Sequence, residues 1–307
     1  MAALERALIA IVGPTASGKS ALALELAQAL DGEIVSCDSL QVFRGLDVGS
    51  AKPTAAERAL VPHHLLDVAE PDQDFSAAEY ARLARAAVRD VVARGRLPLV
   101  VGGTGLYLRA LLSGLFPGPS RDAAFRQRVE ALAERLGRAR VHAWLRRVDP
   151  SAAARISPED LVRVVRALEV YRATRIPISK HHASSTEALT GVQARVFGID
   201  LPRDALRARV QARTDAMWAG GLLEETRSLL DRFPNGARPL RAIGYRQAVA
   251  VVRGELDLAA ARRDMVTTTM QYAKRQRTWF RHQADVAWFD ASDAAGRAIR
   301  AWLEARG

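Results

Sequence analysis

The chain contains a single cysteine, Cys37, so it cannot form an internal disulfide bond. Such a sequence is typical of a reducing compartment such as the cytosol. It also lacks any apolar run close to the roughly 18 residues that a membrane helix needs. The first ten residues, MAALERALIA, include Glu5 and Arg6 and lead directly into a predicted strand, which argues against a secretion signal. We therefore expect a cytoplasmic protein with no membrane segment.

Acidic residues are too few to balance the basic ones. The chain has 307 residues, with 45 Lys and Arg against 34 Asp and Glu, and a formal net charge of +11. Residues 121–180 hold 14 basic and 7 acidic residues, so about a fifth of the chain carries most of the surplus. A basic surface attracts polyanions such as RNA, DNA or an anionic membrane. An Arg-rich genome is the alternative explanation, although it does not by itself produce a net excess.

The segment IVGPTASGKS (11–20) fits the phosphate-binding pattern G-x-x-x-x-G-K-[ST]. An apolar run, ALIAIVG (7–13), precedes it, and a run of helix formers, SALALELAQAL (20–30), follows it. The motif requires a strand, a glycine loop and a helix in this order, because the N–H groups of the loop and of the helix N-terminus bind the phosphate. The predicted loop comprises Gly13, Pro14, Thr15, Ala16, Ser17, Gly18, Lys19 and Ser20. Lys19 would supply positive charge, and the Ser20 hydroxyl would bind Mg²⁺.

A nucleotide hydrolase usually has a second acidic residue, at the end of a strand, that also binds the metal. This sequence lacks an acidic residue at the corresponding place. The apolar run LPLVVGGTG (97–105) ends in glycine and threonine. The sequence therefore predicts binding of a phosphate or diphosphate without indicating hydrolysis.

Repeated strand–helix units predict an α/β fold, with a parallel sheet wound with helices. Further strands are expected at EIVS (33–36), LPLVVG (97–102) and ARVFGIDLP (194–202), and a helix at 76–94 with a capping box of Ser76 and Glu79. Residues 121–192, after the break GLFPGPS, are predicted to be helical and basic. We expect a catalytic core of residues 1–120 and 193–307 and an all-helical insertion at 121–192.

Two polar residues follow predicted strands, and such strand ends form the ligand crevice of a parallel sheet. Asp38 follows EIVSC and is a candidate general base, although a helix cap or a metal contact is an alternative. Thr104 lies in a glycine turn, where its hydroxyl would bond a leaving oxygen or cap a helix. His63 and His64 have no cysteine or acid cluster nearby, so a zinc site is not expected.

Basic residues in the C-terminal half also match phosphate chemistry. Lys274, Arg277 and Arg281 share a predicted helix face, interleaved with aromatic residues in YAKRQRTWFRH. This pattern suits an RNA backbone with base stacking, or an ordinary amphipathic helix whose rings face the core. Arg209 and Arg213, one helical turn apart, would clamp a leaving diphosphate.

The segments GPTASGKS, DSLQVFRGLDVGSAKP, HHLLD, GGTGLY, RALEV, RAIGYRQ and AKRQRTWF occur in this order between residues 11 and 281. Together they resemble the bacterial tRNA dimethylallyltransferases. The resemblance implies a P-loop kinase-like fold. It also implies transfer of the dimethylallyl group of dimethylallyl diphosphate to N6 of adenosine 37 in tRNAs that read codons beginning with U. The loop would then hold an isoprenoid diphosphate rather than ATP.

The resemblance also implies roles for individual residues. Asp38 would be the general base for the adenine amine, and Thr104 would lie near the bridging oxygen. Lys19 and Arg213 would stabilise the departing diphosphate, with Ser20 on Mg²⁺. The implied partners are the tRNA anticodon stem-loop and dimethylallyl diphosphate, and we expect a monomer.

Four segments match the family's tRNA-contacting regions, and Arg126 matches a further contact in the insertion. They are Asp38, Ser39, Leu40 and Gln41, together with Thr104; Val162, Arg163, Val164, Val165 and Arg166; Arg241, Ala242, Ile243, Gly244, Tyr245 and Arg246; and Lys274, Arg275, Gln276, Arg277, Thr278, Trp279, Phe280 and Arg281. Val162 departs from the pattern, since relatives often have a polar residue there.

Two alternatives from other classes are a small-molecule phosphotransferase and an RNA-binding protein that uses nucleotide as a switch. The phosphotransferase would need an ATP site with an acid or Arg lid. The switch would not need Asp38 and Thr104 beside the phosphate loop.

Overall fold

The computed structural model describes residues 7–116, 118–181, 188–234 and 236–306. The start of the segment MAALERALIA and residues 182–187 of the predicted insertion lie outside these ranges. Within them, no helix is long and apolar enough to cross a membrane. The chain divides into two compact units, one made of the described residues of 1–112 and 189–307 and the other of those of 113–188.

The first unit contains a six-stranded parallel sheet, in the order β3-β2-β4-β1-β5-β6. Its strands are β1 (Ala7–Val12), β2 (Gly32–Cys37), β3 (His63–His64), β4 (Leu97–Gly102), β5 (Gln193–Ile199) and β6 (Ala287–Phe289). All six residues of β1 are buried, because its alternate side chains pack into separate clusters on the two faces of the sheet. This two-sided burial explains why β1 is a continuous apolar run. The short strands β3 and β6 were not predicted.

The sheet is covered by helices on both faces. The helices of both units, in chain order, are α1 (Lys19–Ala29), α2 (Ala55–Leu60), α3 (Ala77–Ala93), α4 (Gly105–Ser113), α5 (Ala123–Leu136), α6 (Arg138–Val148), α7 (Pro150–Ala153), α8 (Leu161–Thr174), α9 (Ile178–His181), α10 (Arg203–Ala219), α11 (Leu222–Arg232), α12 (Tyr245–Val252), α13 (Leu258–Gln283) and α14 (Ser292–Glu304), and α5 to α9 belong to the second unit. A short 3-10 helix spans Arg238–Arg241. The α/β prediction is confirmed.

The predicted capping box of α3 is half present. The Ser76 hydroxyl accepts the N–H of Glu79, as predicted. The Glu79 carboxylate instead accepts from Arg82, at 2.6 Å from Nη2. An exposed arginine one turn along the helix therefore takes the carboxylate away from the helix start.

The second unit contains α5 to α9, packed around its own core that includes Val141, Leu145 and Val164. It begins before the predicted residue 121 and ends before the predicted residue 192. Arg166 donates to the Pro119 carbonyl at 3.0 Å, which ties the preceding segment to this unit. Leu189 bonds the Leu112 carbonyl at 3.3 Å, so the returning chain already belongs to the first unit.

Candidate active site

Three loops meet at the carboxyl ends of neighbouring strands. The phosphate loop follows β1, Asp38 follows β2 and Thr104 follows β4. Gly102 is in register with both Val12 and Cys37, so β4 lies between the other two. The structure therefore brings together the three segments that sequence analysis placed at strand ends.

Glycine is required at the start of the phosphate loop. Gly13 has φ 147, and a Cβ there would lie 2.4 Å from the Ile199 carbonyl oxygen of β5. Gly18, with φ 97, caps α1 and has no side chain that could accept from the first N–H groups of this helix. Uncapped N–H groups at a helix start favour an anion.

Lys19 is a buried cation inside this loop, with 9% of its surface exposed. Its Nζ donates to the Pro14 carbonyl at 3.1 Å. Burial first, and the nearby Arg213 charge second, lower the pKa of Lys19 to about 8, and the Asp38 carboxylate opposes the shift. The site thus holds two cations near one carboxylate, which suits an incoming dianion.

Asp38 and Thr104 are connected through the main chain. The Asp38 Oδ1 atom accepts from the N–H of Leu40 at 2.8 Å and from that of Gln41 at 3.4 Å. The Thr104 hydroxyl accepts from the N–H of Ser39 at 3.1 Å, and the Thr104 N–H donates to Cys37 at 3.2 Å. The turn after β2 and the turn after β4 are therefore held together beside the phosphate loop.

Arg213 and Arg209 on α10 occupy different places. Arg213 is partly buried, and its Nη2 donates to the Ser50 carbonyl at 3.5 Å. Burial lowers the pKa of Arg213, and Asp38 opposes this. Arg209 bonds the Ser17 carbonyl at 3.2 Å. Arg213 lies near Lys19 and Asp38, while Arg209 holds the backbone of the loop.

Sequence analysis missed the anchor of the loop that follows Asp38. Glu225 on α11 accepts from the backbone N–H groups of Asp47, Val48 and Gly49 at 2.8, 2.8 and 3.1 Å. Its Oε1 also accepts from the Tyr245 hydroxyl at 2.7 Å. Because the Ser50 carbonyl comes next, this anchor also places the acceptor used by Arg213.

The inner face of α13 lies against the same turns. Tyr272 lies close to the Thr104 side chain, and burial, together with the nearby Asp38 charge, raises the pKa of its hydroxyl to about 12. A Cβ on Gly105 would lie 2.1 Å from the Trp279 ring, so the indole packs directly on that glycine. Tyr272 was absent from the predicted site residues.

Gln276 and Phe280 lie in the segment of α13 that was predicted to contact RNA, but both side chains face the interior of the protein. Gln276 is 6% exposed and Phe280 is 1% exposed. The Gln276 amide is hydrogen-bonded to protein backbone, and Phe280 packs in the core of the sheet. These two side chains therefore hold α13 against the protein, and the assignment of this segment to RNA binding stays a prediction.

The outer face of α13 is basic. Lys274, Arg275 and Arg281 are exposed. Arg277 pairs with Asp200 at 2.6 Å, and Arg281 pairs with the other oxygen at 2.9 Å. Among the described residues, Lys274 has no carboxylate within ion-pair distance, so its charge is uncompensated.

Residues 241–246 divide between surface and core. Arg241 and Arg246 are exposed, whereas Tyr245 is fully buried with its hydroxyl on Glu225. Gly244 is buried, and its N–H donates to the Gln247 side chain at 2.8 Å. The Tyr245 side chain therefore supports the neighbouring loop, and RNA contact by this segment stays a prediction.

Within the second unit, Glu169 neutralises two predicted RNA contacts. It is 3% exposed and accepts from Arg126 at 2.8 and 2.7 Å, and it also pairs with Arg166. Burial opposes its ionisation, but bonds from these arginines lower the pKa of Glu169 to about 2. Val164 and Val165 are buried in the core of this unit, so their side chains are not RNA contacts.

The first residues of α8 remain at the surface. Val162 is 71% exposed and Arg163 is exposed beside it. An isolated apolar side chain with such exposure is common at a protein surface.

The described residues would supply only a few of the ligands that a Mg²⁺ ion needs. Among the described residues, no group of three or more His, Cys, Asp or Glu side chains is arranged to hold a metal ion. Mg²⁺ commonly uses one or two protein oxygens together with substrate phosphates and water. Ser20, exposed in the first turn of α1, fits one such position.

Comparison with known proteins agrees with this geometry. The family model of IPP transferase matches residues 41–283. The tRNA dimethylallyltransferase of Anaeromyxobacter sp. (strain Fw109-5) is 55% identical over 94% of this chain and 98% of its own. The tRNA dimethylallyltransferase 1 of Pelobacter propionicus is 45% identical over 97% of this chain and 96% of its own. The crystal structure of a tRNA isopentenylpyrophosphate transferase from Bacillus halodurans superposes with a TM-score of 0.69 at 38% identity, covering 98% of both chains.

The α/β fold and the similar proteins define a transferase. The chain belongs to the IPP transferase family and is a prenyltransferase.

Proposed function

We propose that this enzyme transfers the dimethylallyl group of dimethylallyl diphosphate to N6 of adenosine 37 in tRNAs that read codons beginning with U. The observation that carries the proposal is the convergence of Lys19, Arg213, Asp38 and Thr104 on the uncapped end of α1. Two cations next to a loop for phosphate suit a diphosphate leaving group. A carboxylate on the opposite turn suits an amine that must lose a proton.

In the proposed reaction, the bond from C1 of the allyl group to the diphosphate oxygen breaks, and a bond from C1 to N6 of adenine forms. Lys19 and Arg213 stabilise the negative charge that develops on the leaving oxygen. The proton of N6 passes to the Asp38 carboxylate. The Thr104 hydroxyl hydrogen-bonds the bridging oxygen or the target base. Mg²⁺, held partly by Ser20, supplies further charge neutralisation on the diphosphate when bound.

The acceptor base must leave its stack to reach a crevice at the strand ends. The exposed cations of α13, together with Arg241 and Arg246, supply a surface for the RNA backbone. Arg163 on α8 is a further exposed cation in the second unit.

The direct test supplies Mg²⁺, radiolabelled dimethylallyl diphosphate and unmodified tRNA, with labelled ATP in a parallel reaction. The expected result is label in the RNA at adenosine 37 and no phosphate release from ATP. A tRNA with guanosine at position 37 is the matched control and should stay unlabelled. Phosphate released from ATP without RNA labelling would refute the proposal and favour the phosphotransferase alternative.

A further inference from the structure

The side chain of Gln276 joins two loops of the active site. Its Oε1 accepts from the backbone N–H of Thr15, in the phosphate loop, at 2.9 Å. Its Nε2 donates to the carbonyl of Gly103, next to Thr104, at 2.9 Å. We propose that Gln276 is a positioning residue that sets the separation between the phosphate loop and the Thr104 turn.

The chemistry of both contacts requires an amide at residue 276. The Thr15 N–H needs an acceptor and the Gly103 carbonyl needs a donor, and one Gln side chain supplies both. A Glu would place a carboxylate oxygen against the Gly103 carbonyl, and a Met would leave both backbone groups unpaired. Buried backbone groups without partners destabilise a folded protein.

The opposite loop is shaped to receive this amide. A Cβ on Gly103 would lie 2.1 Å from Nε2 of Gln276, so only glycine leaves space for the contact. Four residues earlier on α13, Tyr272 lies against Thr104, and three residues later Trp279 covers Gly105. Three positions on one helix face therefore contact three consecutive residues of the turn after β4.

Gln276 lies away from the reacting atoms, and we expect it to affect the transfer reaction through the two loops that it joins. The phosphate loop carries Lys19, and the turn after β4 carries the Thr104 hydroxyl. Both must hold a fixed geometry around the leaving oxygen, and a misplacement of about 1 Å can cost roughly 10²-fold in rate. Gln276 fixes that geometry without touching substrate. This role rests on the proposed function, in which the two loops act on one diphosphate.

The test compares Gln276→Met and Gln276→Glu with the parent enzyme. We expect kcat to fall by about tenfold or more in both variants, with the tRNA Kd unchanged. Affinity for inorganic diphosphate, measured by calorimetry, should fall about threefold or more in Gln276→Met. It should fall further in Gln276→Glu, which adds negative charge beside the loop. Glu33→Gln is the matched control, since it weakens buried ion pairs to Arg94 and Arg96 in the same unit, at the amino end of β2 and so at the opposite edge of the sheet from the site.

A purely structural role predicts a different result. It predicts that Gln276→Met and the control lower Tm to a similar extent and leave kcat and diphosphate affinity at parent values, which would overturn the proposal. A parallel loss of tRNA affinity would also overturn it. If the parent enzyme transfers no dimethylallyl group, the proposed function fails, but the diphosphate affinities still decide the role of Gln276.

Discussion

Arg209 donates from Nη1 to the main-chain carbonyl of Ser17 at 3.2 Å, which commits its guanidinium to the phosphate loop itself. Arg213, one turn further along α10, lies beside Lys19 and Asp38 instead. The sequence could not separate these two arginines, because both lie on one predicted helix face. Their contacts in the fold give them different expected roles.

The first prediction follows from that difference. Arg213→Gln should lower kcat by about 10²-fold or more, because it removes a cation from the leaving diphosphate. Arg209→Gln should mainly raise KM for dimethylallyl diphosphate and lower Tm, because the loop loses an anchor. Steady-state kinetics of both variants provide the measurement. The opposite ranking would assign the leaving group to Arg209.

The second prediction concerns the pH dependence of Lys19. Burial first, and the Arg213 charge second, lower its pKa to about 8, so the free enzyme loses this positive charge as pH rises through 8. We expect kcat/KM for dimethylallyl diphosphate to fall on the alkaline side with a midpoint near 8, since kcat/KM reports the free enzyme. Bound diphosphate favours protonated Lys19, so the corresponding limb of kcat should lie at higher pH.

The stability effect of this group has the same origin. The pKa of Lys19 in the folded state lies below its unfolded value, so its contribution to stability is present above the unfolded pKa and lost as pH falls through about 8. Lys19→Met should therefore raise Tm slightly at pH 7 while abolishing transfer. The assignment of the alkaline fall in kcat/KM to Lys19 would be contradicted by two results together. One is a lower Tm in Lys19→Met, and the other is that this variant keeps the same fall of kcat/KM near pH 8 as the parent.

The third prediction separates the chemical role of Asp38 from its structural one. Its Oδ1 accepts the N–H groups of Leu40 and Gln41, so Asp38→Ala would also disturb the turn. Asp38→Asn keeps an oxygen acceptor and removes the base. We expect it to lower kcat by about 10²- to 10⁴-fold with near-normal tRNA affinity and Tm. Turnover equal to that of the parent would exclude Asp38 as the general base.

The positions of the phosphate loop, Asp38 and Thr104 could be predicted because strand ends of a parallel sheet share one edge. The motif around α13 did not reveal which side chains face inward. The spacing of Tyr272, Gln276, Trp279 and Phe280 (i, i+4, i+7 and i+8) is the signal that distinguishes the buried face. The motif match outweighed that spacing, and Gln276 and Phe280 were therefore assigned to RNA.

Contacts between distant segments could not be read from the sequence at all. Glu169 lies 43 residues from Arg126, and Glu225 lies 176 residues or more from the backbone groups it accepts. In the sequence, nothing distinguishes Glu169, which pairs with a distant arginine, from an exposed acidic residue on a basic helix. The compensation of charge in the second unit therefore appears only in the fold.

The fourth prediction concerns Glu225, which fixes the backbone of Asp47, Val48 and Gly49. Glu225→Gln keeps the size but removes the negative charge and one acceptor oxygen. We expect a loss of about 1–3 kcal/mol in the free energy of unfolding. We also expect a lower kcat, because the Ser50 carbonyl that holds Arg213 follows this segment. Glu224→Gln, on the same helix, is the control; equal effects of both variants would contradict the anchor role.

The final prediction distinguishes two cations on α13. Lys274 is exposed, and Arg277 pairs with the nearly buried Asp200 at 2.6 Å. Lys274→Ala should weaken tRNA binding and reduce the slope of log K against log salt by about 1, because one phosphate contact is lost. Arg277→Ala should instead destabilise the fold by about 2 kcal/mol, because Asp200 loses a charged partner.

Filter binding of tRNA at several salt concentrations, together with thermal unfolding, measures both effects. An unchanged slope in Lys274→Ala would remove this residue from the RNA surface. A change of slope in Arg277→Ala without loss of Tm would mean that its guanidinium leaves Asp200 to bind phosphate. We expect Lys274→Ala to change the salt slope and Arg277→Ala to lower Tm. The reason is that Arg277 donates to Asp200 and Leu201, which lie 77 and 76 residues away in the sequence, and these bonds hold α13 to the end of β5.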